Sequence, residues 1–180
     1  MTTLVTFIDL ETTGFDPEVH EIIELAAIKT EVSNGRLVIL ASAEYKVPPL
    51  YPVDPFVAKL NGYNKKDWNQ SVTLPDALSG IFDLLRSAWH AGSNPKFDDA
   101  FLQKAAKDLR WSYPRLASYH LLDVSTMAFP LIMDGKIDKL KQESIAKHYE
   151  IEGGGHRAMA DTMQCLKIFA RINNLEITYK

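Results

Sequence analysis

The sequence predicts an α/β protein in which a mixed five-stranded sheet is flanked by helices. Two observations carry this prediction. The first quarter of the chain contains three strand-like runs joined by turn residues, at about 4–8, 21–32 and 36–47. The rest alternates helical patterns with two short apolar runs, 88–92 and 118–123. Strands joined by tight turns pair antiparallel, whereas strands separated by helices return parallel through right-handed crossovers.

The first three strands are predicted to form an antiparallel meander. The run from Leu4 to Ile8 is apolar and rich in β-branched and aromatic residues, and it stops beside Asp9 and Glu11. Between the second and third strands, residues 33–35 read Ser-Asn-Gly, which is a hairpin signal. The later strands are expected to pair parallel to the first.

Helical signals account for most of the remaining chain. Asp54 followed by Pro55 is typical of a helix N-terminus, and Thr73 can cap a second helix. The glycine triplet 153–155 separates the last two helices, and the tail after Asn174 carries no clear pattern. The predicted helices span about 55–60, 74–87, 98–109, 124–133, 138–149 and 157–173.

Composition narrows the class of protein. With 180 residues, 46% of them hydrophobic, the chain can form one domain over 1–180. A net charge of −3 argues against non-specific polyanion binding through a broad basic face. No run approaches a membrane span, and no signal peptide is apparent, so we expect no membrane association. The single cysteine, Cys165, lies in an apolar helical pattern, which predicts a core residue and fits a reducing cytoplasm.

Asp9 and Glu11 are the first candidate functional residues. Side chains alternate along a strand, so these two carboxylates point the same way, with their Cα atoms roughly 7 Å apart. Adjacent like charges at the end of a buried strand are unfavourable unless a positive partner compensates them. The pair is therefore interpreted either as a divalent metal site or as two solvated loop acids.

Three further polar residues lie at predicted element edges, and each has an ordinary structural explanation. Asp98 can cap a helix, although its neighbour Asp99 can do the same. Asp161 can compensate the dipole in the first turns of the last helix. His156, after the glycine triplet, can be an unremarkable loop histidine.

Taken together, these residues resemble the DEDDh 3′→5′ exonucleases, the family of the proofreading subunit of bacterial DNA polymerase III. Residues 9–14 read Asp-Leu-Glu-Thr-Thr-Gly, residues 94–98 read Asn-Pro-Lys-Phe-Asp, and His156 precedes Asp161 by five residues. The second predicted strand, Ile-Ile-Glu-Leu-Ala-Ala-Ile at 22–28, also looks like the family's. Arg157 occupies the place where the tyrosine branch of the superfamily has its tyrosine, which favours the histidine branch. The resemblance implies a ribonuclease H-like fold.

The resemblance also implies a two-metal site. Asp9, Glu11, Asp98 and Asp161 would hold two Mg²⁺ or Mn²⁺ ions, which prefer hard oxygen ligands. Such ions support phosphodiester hydrolysis by activating water and stabilising the leaving oxygen. His156 would act as the general base, a task that suits an imidazole with an ordinary pKa near 6.5. The strand that carries Asp9 is expected at the centre of the sheet, where the three segments converge.

Substrate contacts follow from the same resemblance. Leu10, Thr12, Thr13 and Asn94 are expected near the 3′-terminal nucleotide. Lysines between the second and third motifs are candidates for phosphate contacts: Lys136, Lys139, Lys141 and Lys147. Aromatic residues that could stack on bases are Trp68, Trp111, Tyr113 and Trp89, the last of which a strand pattern places in the core.

The predicted activity is removal of nucleoside 5′-monophosphates from the 3′ end of single-stranded DNA. One alternative is a 3′→5′ exoribonuclease, because residues 122–126, Leu-Asp-Val-Ser-Thr, look like the oligoribonucleases. Asp123 within this segment is interpreted as structural. A non-catalytic nucleic-acid-binding module of the same fold is the alternative from another class. The expected partner is single-stranded nucleic acid with a free 3′ end, and no stable protein partner is indicated.

Overall fold

A computed structural model describes residues 2–64, 66–68, 71–113 and 120–180. Its centre is a six-stranded sheet in the order β5-β4-β1-β2-β3-β6. The first strand therefore lies in the middle of the sheet, as predicted. The strands are β1 Thr3–Thr12, β2 Ile22–Ser33, β3 Arg36–Lys46, β4 Trp89–Gly92, β5 Leu121–Asp123 and β6 Glu176–Tyr179.

The pairing confirms the mixed sheet. β1 pairs antiparallel with β2, and β2 pairs antiparallel with β3, which is the predicted meander. β4 lies parallel to β1, and β5 lies parallel to β4. β1 does not stop at Ile8, as the apolar run suggested. It continues because Asp9 and Glu11 still pair with Ala26 and Glu24 on β2.

The prediction of five strands was wrong by one strand at the C-terminal end. β6 pairs parallel with the start of β3, Arg36 to Ile39. This strand is only four residues long and mostly exposed. Its conformation depends on backbone pairing with a distant partner, which a local sequence pattern does not reveal. Of the residues proposed for β5, 118 and 119 lie outside the described ranges.

Seven helices are found in the described residues. The side chains of Asp54 and Thr73 accept backbone hydrogen bonds at the starts of the first two, which confirms both predicted caps. The helix expected over 124–133 is split at Ala128, because Pro130 lacks the N–H that a continuous helix needs there. The helices are α1 Pro55–Asn61, α2 Leu74–Leu85, α3 Pro95–Asp108, α4 Val124–Met127, α5 Phe129–Met133, α6 Gln142–His148 and α7 Ala158–Ile172.

Two hydrophobic clusters cover the two faces of the sheet. Phe7 belongs to the cluster that packs beneath α7, and Ile8 belongs to the cluster beneath α2 and α3. Because side chains alternate along β1, Asp9 and Glu11 share the α7 side with Phe7. Cys165 is buried in the α7 cluster, as predicted. None of the helices within the described ranges has the length and apolar character needed to cross a membrane.

Candidate active site

The acids of β1 form the floor of the candidate site. Asp9 and Glu11 are both half-buried at the C-terminal end of the strand. The ladder to β2 holds their backbones, so their spacing is fixed by regular strand geometry. Glu11 lies directly opposite a third acid, Glu24, whose side chain is fully buried.

Asp98 reaches the same floor from α3. The helix begins at Pro95, so Asp98 lies in its first turn and does not cap it. Its Oδ1 accepts a hydrogen bond from the backbone N–H of Leu10 at 3.0 Å, and the side chain is buried. Asp99 points elsewhere, because it accepts a 2.5 Å bond from the hydroxyl of Tyr113. The structure thus separates two adjacent acids that the sequence left ambiguous.

Asp161 and His156 approach from α7 and the loop before it. Asp161 lies in the first turn of α7, and its Oδ2 accepts from the backbone N–H of Arg157 at 3.1 Å. His156 is exposed and adopts a left-handed backbone, with φ of 58°. One ligand atom each from Glu11, His156 and Asp161 lie within 4.8 Å of one another. The third motif, which contains His156 and Asp161, therefore lies close to Glu11 of the first motif.

All five predicted catalytic residues line one cleft of about 430 Å³. Leu10, Thr12 and Asn94 line it as well. Thr13 is buried instead, and its hydroxyl accepts from the backbone N–H of Glu21 at 2.9 Å. Its side chain therefore stabilises the loop after β1. The cleft lining also includes four apolar residues, which form its apolar wall: Phe15, Val57, Leu60 and Phe97.

The acids of the cleft disfavour one another's charge. Burial and the neighbouring carboxylates of Asp161 and Glu24 raise the pKa of Glu11 to about 8. Burial, followed by repulsion from Asp98 and Glu11, raises the pKa of Asp9 well above its ordinary value. Burial also raises the pKa of Asp98, although the hydrogen bond from Leu10 opposes the shift. Without a cation, the raised pKa values favour the protonated forms of these acids.

The donor set fits a hard divalent cation. Burial raises the pKa of Asp161 too, so all four carboxylates would gain from positive charge between them. They offer only oxygen, the donor that Mg²⁺ and Mn²⁺ prefer, with the imidazole of His156 at the exposed edge. The arrangement can therefore hold divalent ions beside a group that is able to accept a proton.

Two predictions about tryptophans were wrong. Trp68 was a candidate for stacking on bases, but its ring is buried and its Nε1 donates to the carbonyl of Ile23 at 2.8 Å. Trp89 was assigned to the core, yet it is 39% exposed and its ring packs against His120. Trp89 is the first residue of β4, and the other three residues of the strand are buried, so the exposure is confined to its N-terminal end.

Four of the remaining candidates have local partners. Trp111 and Tyr113 pack edge-on against Phe82. Lys136 and Lys139 form ion pairs with Asp134 and Asp138, respectively. None of the four candidate lysines is among the described residues that line the cleft; they are Lys136, Lys139, Lys141 and Lys147.

Sequence reasoning missed several residues that organise the site. Gln142 lines the cleft and donates to the backbone carbonyl of Asp161 at 3.0 Å. Glu24, whose side chain is buried, forms an ion pair with Arg157, a residue 133 positions later. The signal for Glu24 was available, because it is the only charged residue in the apolar run 22–28. Asp123, by contrast, caps α4 and accepts from Asn94, in agreement with its structural assignment.

The sequence that forms this cleft, at the end of the central strand of a mixed sheet, matches a known family. The profile of the RNase T exonuclease family matches residues 6–169. The chain therefore belongs to this exonuclease family. The match includes all three motifs, which confirms the resemblance inferred from them.

Individual relatives have low sequence identity to this chain. DNA polymerase III subunit epsilon of Aquifex aeolicus is 29% identical over 166 residues, which cover 92% of this chain and 78% of the relative. Oligoribonuclease of Dichelobacter nodosus is 29% identical over 168 residues, with 86% and 84% covered. The PolC-type DNA polymerase III of Mycoplasmopsis pulmonis is 25% identical over 162 residues, or 89% of this chain. The chain spans only 11% of that polymerase.

A solved structure agrees with the fold. E. coli exonuclease I in complex with a dT13 oligonucleotide superimposes with a TM-score of 0.80 at 18% identity. The superposition covers 94% of this chain and 41% of exonuclease I. At this identity the likeness concerns the fold, and it confirms the ribonuclease H-like architecture that the motifs implied.

Proposed function

We propose that the protein is a metal-dependent 3′→5′ exonuclease that removes nucleoside 5′-monophosphates from single-stranded DNA. The observation that carries this proposal is the convergence of Asp9, Glu11, Asp98 and Asp161 with His156 in one cleft. Three segments that are far apart in sequence supply these groups.

Each residue has a distinct task in the proposed mechanism. The four carboxylates would hold two Mg²⁺ or Mn²⁺ ions, and their raised pKa values fall when those ions bind. When bound, the ions supply positive charge that favours an attacking hydroxide and a developing alkoxide. His156 would accept the proton of the attacking water, from its exposed position beside Glu11 and Asp161.

The cleft also suits a nucleotide. Leu10, Thr12 and Asn94 line it together with the acids, so they are the proposed contacts for the 3′-terminal nucleotide. The apolar wall, of which Phe15 is the most exposed member, can receive the face of a base that is not stacked in a duplex. Single-stranded substrate fits this wall better than a paired end.

DNA is proposed ahead of RNA because the first motif and the epsilon relative point to proofreading nucleases. The oligoribonuclease relative, at equal identity, supports RNA as the second candidate. The proposal includes a single exonuclease domain over 1–180, a cytoplasmic location and activity without a stable protein partner.

The direct test uses 5′-labelled DNA and RNA strands of one sequence, single-stranded and duplex. We expect a ladder that shortens from the 3′ end with Mg²⁺ or Mn²⁺, faster on DNA, and no products with EDTA. Faster shortening of RNA would replace the substrate assignment with the second candidate. Binding without cleavage, under all metals, would instead identify a non-catalytic binding module.

The matched controls are a circular single strand and the Asp83→Asn variant. An end-dependent enzyme leaves the circle intact, so equal cutting of circle and linear strand would contradict an exonuclease. Asp83 is an exposed acid of α2 that pairs with Arg86, and it lies outside the cleft. Its loss should leave activity unchanged, whereas Asp9→Asn should abolish it.

A further inference from the structure

Glu24 is a fully buried carboxylate that the proposed chemistry does not use. It lies on β2 directly opposite Glu11 of β1. Two like charges at opposed positions of neighbouring strands are destabilising, and burial strengthens their repulsion. Indeed, Glu24 contributes to the raised pKa of Glu11. An acid at this position is therefore unfavourable for the fold unless a specific partner compensates it.

The compensating partner is Arg157. Its Nε and Nη2 donate to the two carboxylate oxygens of Glu24 at 3.0–3.3 Å, a forked geometry that defines both position and orientation. The guanidinium also lies 5.8 Å from the centre of the Trp68 ring. Trp68 is itself fixed, because its Nε1 donates to the carbonyl of Ile23, beside Glu24. The side chain of Arg157 thus contacts Glu24 of β2 and a tryptophan that is hydrogen-bonded to β2.

Arg157 is also the residue that follows His156. Its backbone N–H donates to the carboxylate of Asp161, so one residue contacts Glu24 through its side chain and Asp161 through its backbone. His156, the proposed general base, is joined by one peptide bond to Arg157, which is held by these two contacts. A displacement of Arg157 would move His156 directly.

The segment before Arg157 has little intrinsic rigidity. Residues 153–156 all have positive φ, and three of them are glycines. Glycine leaves the backbone many alternatives, so the conformation has to be fixed by contacts. At its N-terminal end, the carbonyl of Gly153 accepts from Gln164 of α7 at 2.6 Å. At the C-terminal end, the corresponding contact to the sheet is the Glu24–Arg157 pair.

We propose that Glu24 and Arg157 form a positioning pair that anchors the loop of residues 153–157 to the sheet and thereby places His156 over the carboxylates. This inference rests on the proposed function. Neither residue touches the reacting atoms; they act through the backbone of the loop. The pair explains why a charge is buried opposite Glu11, where an apolar residue would suit the strand better.

The test replaces the pair with apolar residues of similar size, in the double variant Glu24→Leu/Arg157→Met. Such replacements often leave a fold intact, because both charges are removed together. We expect kcat for a single-stranded oligonucleotide to fall about 10- to 100-fold, as small displacements of a catalytic group do, while KM stays within about threefold. In the metal-free protein, hydrogen exchange at the amides of 153–157 should accelerate.

The matched control makes the same changes in an exposed pair that joins β3 and β6, Arg36→Met/Glu176→Leu. Its kcat and loop exchange should equal those of the wild type. Wild-type kcat in Glu24→Leu/Arg157→Met would overturn the inference, and so would a lower kcat without faster exchange in the loop. If that variant does not fold, Arg157→Lys provides the test, because lysine keeps the positive charge but cannot make the forked hydrogen bonds to Glu24. A kcat at least about threefold lower with faster exchange supports the inference, and wild-type values for both overturn it.

The outcome is separable from that of the proposed function. If the wild-type protein shortens no DNA or RNA with any divalent metal, the function is refuted. The exchange measurement still reports whether the pair anchors the loop.

Discussion

The two sides of the candidate site are held by different kinds of structure. Asp9 and Glu11 lie on the central strand, whose backbone is paired along its length with β2. His156 lies in a loop whose backbone torsions favour glycine. The side chains that contact this loop include those of Glu24, Asp161 and Gln164. The carboxylates are therefore placed by the fold itself, whereas the histidine is placed by a few side chains. The comparison teaches that the proposed metal-binding side is fixed by strand pairing although its carboxylates repel one another, whereas the proposed proton-accepting side depends on a few side-chain contacts.

The largest effect should come from the carboxylate side. Asp9→Asn keeps the shape of the side chain and removes a charge from the centre of the cluster. We expect activity to fall about 10³-fold or more, the scale on which loss of a preorganised electrostatic group acts. At a pH where Asp9 is ionised, the melting temperature of the metal-free protein should rise, because the repulsion from Asp98 and Glu11 is relieved. A variant with both activity and stability reduced would show that the acids are structural.

The second effect concerns the histidine. His156→Ala should lower kcat about 10²- to 10³-fold, which is typical for loss of a general base, and leave the metal-free melting temperature near that of the wild type. Exposed His148 provides the matched control, since His148→Ala should change neither quantity. Wild-type rates in His156→Ala would remove the general base from the proposal and leave the metal site in place.

A smaller effect is expected inside the loop. Gly154→Ala forces a Cβ to within 2.8 Å of Gln164 Oε1 and 3.0 Å of Asp161 Oδ1, at a φ of +83°. Gly153→Ala has comparable backbone strain, at a φ of +112°, with nothing within 4 Å. We expect both variants to be destabilised by about 1–2 kcal/mol, the cost of a left-handed alanine. Only Gly154→Ala should also lower kcat, by about tenfold. Equal kcat in the two variants would refute tight packing of the loop against Asp161.

The last predicted effect is a dependence of stability on pH. Glu11 has a pKa of about 8 in the folded, metal-free protein against an ordinary value of 4.5. A carboxyl with a raised pKa in the fold binds its proton more tightly there, so its contribution to stability is complete below the ordinary pKa. That contribution is lost as pH rises through the folded value. Between about pH 5 and pH 9, we expect a loss of ~2 kcal/mol or more.

Glu11→Gln supplies the control for this prediction, since it removes the titrating group and should flatten the profile. Added Mn²⁺ should restore stability most at the alkaline end, where the carboxylates are free to bind it. A melting temperature that rises between about pH 5 and pH 9 without metal would contradict the raised pKa values.

The sequence contained most of the fold because its local signals were strong. The Ser-Asn-Gly turn at 33–35 marked the meander, and the alternation along β1 placed Asp9 and Glu11 on one face. β6 was not predicted, because a four-residue exposed strand forms only through pairing with β3. The helix expected from 138 begins at Gln142, after the extended backbone of Lys141.

The residues of the site could also be predicted from the sequence, but the contacts that hold those residues in place could not. The residue types and spacing of the three motifs identified the five central side chains. Glu24 and Arg157 are far apart in sequence, and only the folded chain shows that they meet. The prediction that Trp68 stacks on bases was wrong for the same reason, since its burial depends on contacts with Ile23 and Arg157.

The central claim is that the acidic cluster is a two-metal site, and calorimetric titration of the metal-free protein with Mn²⁺ tests it most directly. Carboxyls that hold protons near neutral pH have to release them when a metal binds. We predict two Mn²⁺ bound per chain with net proton release at about pH 7, measured in buffers of different ionisation enthalpy, and less release at about pH 9. Asp9→Asn should lose this binding. Absence of Mn²⁺ binding, or binding at about pH 7 without proton release, would contradict the account.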